Sequence, residues 1–129
     1  MRDGNPQLVV VADPAAVASL AAELVLAHVD RALEARGGRC DLALAGGTTP
    51  GLLYDELTRQ RADWTGVHLW IGDERCVPHE HPESNVRLVY ERLPAPGAVL
   101  HVPPPVGTPE VRAAAYAAQI KDYVLDLVI

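Results

Sequence analysis

Short apolar runs that alternate with helix-forming stretches constrain this chain more than any other feature. Leu8–Asp13 (LVVVAD), Cys40–Ala45 (CDLALA), Val67–Gly72 (VHLWIG) and Leu125–Ile129 (LDLVI) are brief and rich in branched residues. They are too short for helices and too continuous for strands with one wet face, so they read as strands buried on both sides. A further short strand fits Ala98–Val102, held in length by the prolines around it. Strand and helix at this rhythm give βαβ units, hence an open, mostly parallel sheet with right-handed crossovers and helices on both faces. The run Leu125–Ile129 is then the fifth strand, and the sequence stops on it. The expectation is that residues 1–129 form the N-terminal part of a single α/β domain, truncated at that strand.

The helix boundaries carry their own chemistry. Asp13 is a side-chain cap followed by Pro14, the residue favoured at the first helical position. Val17, Leu20, Ala21, Leu24, Val25 and Leu33 then recur at helical spacing, and Gly37 or Gly38 can close the helix in a left-handed conformation. His28 lies near that stripe and is expected to be half buried. Ser84 can cap a helix running to about Leu93, and Thr108, Pro109 and Glu110 open another. Cys40 and Cys76 each border an apolar run and are expected as small buried thiols, not as a disulfide.

The totals exclude several classes of function. Seventeen acidic residues against 11 basic ones leave a formal charge of −6, which argues against coating nucleic acid. No run is long and apolar enough to cross a bilayer, and no secretory leader pattern opens the chain. A cytoplasmic protein with a small-molecule partner, without nucleic acid or membrane, is expected. His79 and His81 stand in H-x-H spacing without a third ligand nearby, so no metal is expected.

Two polar segments follow strands at the edge where open parallel sheets gather ligands. In the first, Gly46 and Gly47 allow close approach of a ligand to the backbone, and Thr48 and Thr49 add hydroxyl donors. Pro50 starts a helix whose free N–H groups and positive dipole end suit a phosphate. No Gly-Lys-Ser/Thr or G-x-G-x-x-G pattern is present. A Gly-Gly turn by itself serves equally as a plain connection. In the second segment, WIGDERCVPHEHPESN, Asp73 and Arg75 face the same crevice. Arg75 can fork onto an anionic or carbonyl oxygen, with Asp73 or Glu74 orienting it, and Ser84 and Asn85 are cap residues. Asn85 can also brace the Asp73 loop.

In that order and spacing, LALAGGTTPGLLYDEL and VHLWIGDERCVPHEHPESNVRLVYERL resemble the 6-phosphogluconolactonase family, which is related to the glucosamine-6-phosphate deaminases. The resemblance implies a Rossmann-like sheet and hydrolysis of 6-phosphoglucono-1,5-lactone in the oxidative pentose phosphate pathway, with no metal or organic cofactor. It implies substrate-phosphate binding by Gly46, Gly47, Thr48, Thr49 and Pro50. It places Arg75 near the lactone and Asp73 in support, with Glu74, Ser84 and Asn85 as further supporting residues. The family's general base is a histidine in a Gly-x-Asp-Gly-His segment, which this sequence lacks. The chain is therefore expected to be the phosphate-binding half of a monomeric enzyme, weakly active or inactive and marginally stable alone. A non-catalytic sugar-phosphate sensor and an aminosugar-phosphate deaminase are the rival readings.

Overall fold

The computed structural model describes residues 4–129. Four helices and four strands alternate: α1 (Pro14–Ala35), β1 (Cys40–Leu44), α2 (Thr48–Gln60), β2 (Val67–Ile71), α3 (Asn85–Arg92), β3 (Val99–His101), α4 (Pro109–Ile120) and β4 (Leu127–Val128). The strands form one sheet in the order β3-β2-β1-β4, and every pairing is parallel. The capping chemistry expected from the sequence is in place. Asp13, Ser84 and Thr108 accept from Ala16, Arg87 and Val111 backbone N–H groups at 2.8, 3.3 and 3.2 Å.

Successive strand residues face opposite sides of a sheet, and the two faces here differ in kind. Cys40, Leu42, Leu44, Val67, Leu69 and Ile71 meet α1, α2 and α3 in one apolar core with Tyr54, Leu57 and Trp64. Asp41, His68, Trp70 and His101 occupy the other face, under Tyr116 of α4 and Tyr123. Asp41 is fully buried there. Its carboxylate accepts from Trp70 Nε1 at 2.8 Å and from Arg39 Nε and Nη2 at 2.8 and 2.9 Å, with Arg36 at 3.1 Å. Burial alone pushes this carboxyl up, but those hydrogen bonds and charges outweigh it and bring the pKa down to about 2.

Several expectations are corrected. Leu8–Asp13 is not a strand: it has no regular structure, and Leu8 and Val10 are 87% and 84% exposed. A β-prone composition does not by itself bring a segment to a partner strand, and the sheet has only four members among the described residues. The terminal run is accordingly the fourth strand, not the fifth. It pairs beside β1 through Leu127 and Val128, is partly exposed, and has no strand on its outer side among the described residues. Helix α1 buries Ala18, Ala22, Val25 and Val29, while Val17 and Leu24 face outward. Val25 of the expected stripe is in the core and Ala21 and Leu33 pack against it, so apolar spacing located the buried face in part, and Ala18, Ala22 and Val29 complete it. His28 is exposed, with Nδ1 bonded to the Leu24 carbonyl one turn back. Cys40 is buried, but Cys76 is exposed because it sits in the loop beyond β2 rather than on the strand.

Folding depresses the Asp41 pKa, so the associated stability is present above the unfolded-state value near 4 and is lost as pH falls toward 2. Urea unfolding should show a loss on the order of 2 kcal/mol across that window. Asp41→Asn should remove most of this acid dependence while lowering stability at neutral pH.

Candidate functional site

The strand order places the site. From β1 the chain steps outward through β2 to β3, and then returns across the opposite face by α4 to β4 on the other flank of β1. The carboxyl end of β1 is therefore the point where winding reverses, and open α/β sheets open a crevice there. Leu44 ends β1 and the next residues are Ala45, Gly46 and Gly47. Two tyrosines close the strand ends around this opening. The Tyr54 hydroxyl accepts from Ala45 N–H at 2.9 Å and donates to the Ala45 carbonyl. The Tyr116 hydroxyl accepts from Ile71 N–H at 2.7 Å and donates to the Ile71 carbonyl at 2.9 Å. Burial pushes both phenols up to about 12, so each acts as a fixed neutral bridge.

Gly47 takes φ 111°, a left-handed value that strains any residue with a Cβ, and it precedes α2 without any side-chain cap. Helix α2 thus begins at Thr48 and Thr49, both exposed, with its first N–H groups unclaimed by a capping side chain.

The second segment is anchored by Glu74. Its carboxylate accepts from Ser84 Oγ at 2.7 Å and from the N–H groups of Arg75, Asn85 and Val86 at 2.8, 2.7 and 3.0 Å. Burial alone raises this carboxyl, yet the four donors outweigh it and hold the pKa below the usual glutamate value. With its lone pairs taken, Glu74 is a structural cap on α3 and not a proton acceptor. Asn85, only 5% exposed, donates from Nδ2 to the Asp73 carbonyl at 2.8 Å, bracing that loop as expected. Arg75 Nη1 donates to the Glu83 carbonyl at 3.1 Å and to Asn85 Oδ1 at 3.3 Å. No carboxylate forms an ion pair with Arg75 among the described residues.

The two segments touch. A Cβ built on Gly46 would lie 2.0 Å from Asn85 Oδ1, so the Asn85 side chain rests on bare backbone. Gly47 and Thr48 on one side and Arg75, Ser84 and Asn85 on the other line an open cleft of about 340 Å³. Thr49 and Pro50 lie in the adjoining first turn of α2. Asp73 is exposed beside the cleft, and its carboxylate bonds to no described residue. Arg92 also lines the cleft, paired with Asp55, and it is not among the residues expected from the sequence. A signal for it exists: Asn85, Leu88 and Arg92 follow at intervals of three and four along α3, which sets them on one face.

Residues 12–129 match the family described as glucosamine-6-phosphate isomerases/6-phosphogluconolactonase. A 6-phosphogluconolactonase of Nostoc sp. is 32% identical over 119 residues, covering 88% of this chain and 49% of that protein. One from Synechocystis sp. is 32% identical over 123 residues, covering 92% and 51%. The crystal structure of a 6-phosphogluconolactonase from Shewanella baltica superposes with a TM-score of 0.83 at 28% identity, covering 92% of this chain and 53% of that one. The chain spans about half the length of these relatives.

Substituting Gly46→Ala should push Asn85 off its seat and cost about 1–3 kcal/mol in denaturant unfolding, as overpacking does. Asn85→Ala in the same chain should relieve that clash, so the double variant should lose less than the sum of the singles. Additive losses would show that the two residues do not meet.

Proposed function

Because the chain belongs to the glucosamine-6-phosphate isomerase/6-phosphogluconolactonase family, we propose that it forms the phosphate-binding half of a cytoplasmic enzyme hydrolysing 6-phosphoglucono-1,5-lactone to 6-phosphogluconate. One observation carries this reading. The uncapped N-terminus of α2 and a guanidinium without a carboxylate partner face each other across a single cleft. A dianionic phosphoryl group suits the first, and a developing oxyanion suits the second. The named relatives also favour the lactone over an aminosugar, as does the Trp-Ile-Gly-Asp-Glu-Arg stretch at residues 70–75.

In this reading the backbone at Gly46–Thr49 and the threonine hydroxyls hold the phosphate, with Pro50 fixing the first turn of α2. Arg75, steered by Glu83 and Asn85, stabilises charge on the lactone oxygen during water attack, and Asp73 supports the ring. Glu74 and Ser84 act indirectly by fixing the start of α3. No residue of this chain is assigned the general base. Glu74 is saturated with donors, and the sequence contains no Gly-x-Asp-Gly-His segment.

The protein bearing this sequence should accelerate lactone hydrolysis above the spontaneous rate. Arg75→Ala should lower kcat roughly a hundredfold, the scale of losing one oxyanion donor. Gly47→Val, strained at φ 111°, should raise KM at least about tenfold with a smaller change in kcat, since it disturbs binding common to ground and transition states. Ammonia release from glucosamine 6-phosphate would overturn the lactonase reading in favour of a deaminase. Sugar-phosphate binding without turnover would favour a sensor.

A further inference from the structure

Arg112 of α4 is only 5% exposed, yet it pairs with no carboxylate among the described residues. Its partners are two loop carbonyls. Nε donates to Pro104 at 2.6 Å, and Nη2 donates to Val77 at 3.3 Å. Val77 lies two residues beyond Arg75, and its own N–H donates to the Arg75 carbonyl at 2.8 Å. Pro104 belongs to the segment that leaves β3. One buried guanidinium therefore ties the loop after β2 to the loop after β3, both at the carboxyl edge of the sheet. It also lines a cleft of about 190 Å³ with Glu74, Arg75, Cys76 and Tyr116, on the α4 side of the Arg75 loop.

A buried charge without a counter-ion is a costly tie for joining two loops, since it forgoes hydration for neutral acceptors. Its planar fork does reach two carbonyls at once, which an ammonium on a single stem does not match. The opposite side of the Arg75 loop is held by Glu74 and Asn85. We propose that Arg112 is a positioning residue that fixes the 73–77 loop from the α4 side and so sets where the Arg75 guanidinium stands over the cleft. This rests on the lactonase reading for its kinetic consequence, but the clamp itself is a statement about the loop.

The experiment is a double-mutant cycle in the full-length protein, read beside amide hydrogen exchange. Arg112→Met keeps the buried stem and removes both donors. It should lower kcat roughly ten- to a hundredfold, the scale of a small misplacement of a catalytic group, with KM changed less than about threefold because the phosphate loop is untouched. Exchange should rise at residues 73–78 while β1 and α1 keep their protection. In an Arg75→Ala background the same change should have little further effect on kcat, because Arg112 acts through Arg75. Arg112→Lys should restore part of the rate, and it serves as the test should the methionine variant fail to fold. Multiplicative losses in kcat, or unchanged exchange at 73–78, would overturn the clamp. Absence of lactone turnover in the unsubstituted protein would sink the functional reading alone, and the exchange result would still decide the clamp.

Discussion

The contact between the backbone of Gly46 and the amide of Asn85 is the constraint on which the site depends. It joins the loop after β1 to the start of α3, and any larger residue at position 46 would hold the two apart. Asn85 in turn holds the Asp73 carbonyl and receives Arg75, so the position of the guanidinium over the cleft follows from how deeply Asn85 can sit. Glu74 fixes the same asparagine from the backbone side by accepting its N–H. Three neighbouring residues of the Asp-Glu-Arg stretch therefore do three separate jobs. Asp73 lends a carbonyl, Glu74 caps a helix, and Arg75 reaches the cleft.

The sheet supplies the rigidity this arrangement needs. Its core face is ordinary aliphatic packing, but the opposite face is organised around buried Asp41, which gathers Trp70, Arg39 and Arg36 while its own N–H donates to Asp126 at 2.7 Å. That cluster ties β1 to β2 and to the approach to β4, the strands that flank the reversal in winding. Tyr54 and Tyr116, one from each helical layer, then satisfy backbone groups where the strands diverge. A crevice between strand ends leaves amides without ladder partners, and the two hydroxyls answer that need without charge.

Much of this arrangement is legible in the residues themselves. Asp13, Ser84 and Thr108 announce three helix starts, and the glycine-threonine loop and the Asp-Glu-Arg loop each fall at a strand end facing one crevice. The role of Glu74 is less visible, because whether a carboxylate orients an arginine or caps a helix depends on how the loop turns back. Arg112 gives no signal at all, since a basic residue in an alanine-rich helix ordinarily reads as solvated. Leu8–Asp13 misleads for a related reason: its composition suits a strand, but composition does not bring a segment to a partner.

The sequence by itself determined the alternation of strands and helices from α1 onward, the caps at Asp13, Ser84 and Thr108, and the place of both polar loops at strand ends. Those features arise from side chains acting on backbone within a few residues, where chain connectivity guarantees the encounter. Only the tertiary structure decided that Val17 and Leu24 of α1 face outward, that Gly46 receives Asn85, that Glu74 is consumed as a cap and that Arg112 spans two loops. Each of these joins groups brought together by the packing of whole elements, and a contact made by folding distant segments together leaves no local pattern to read.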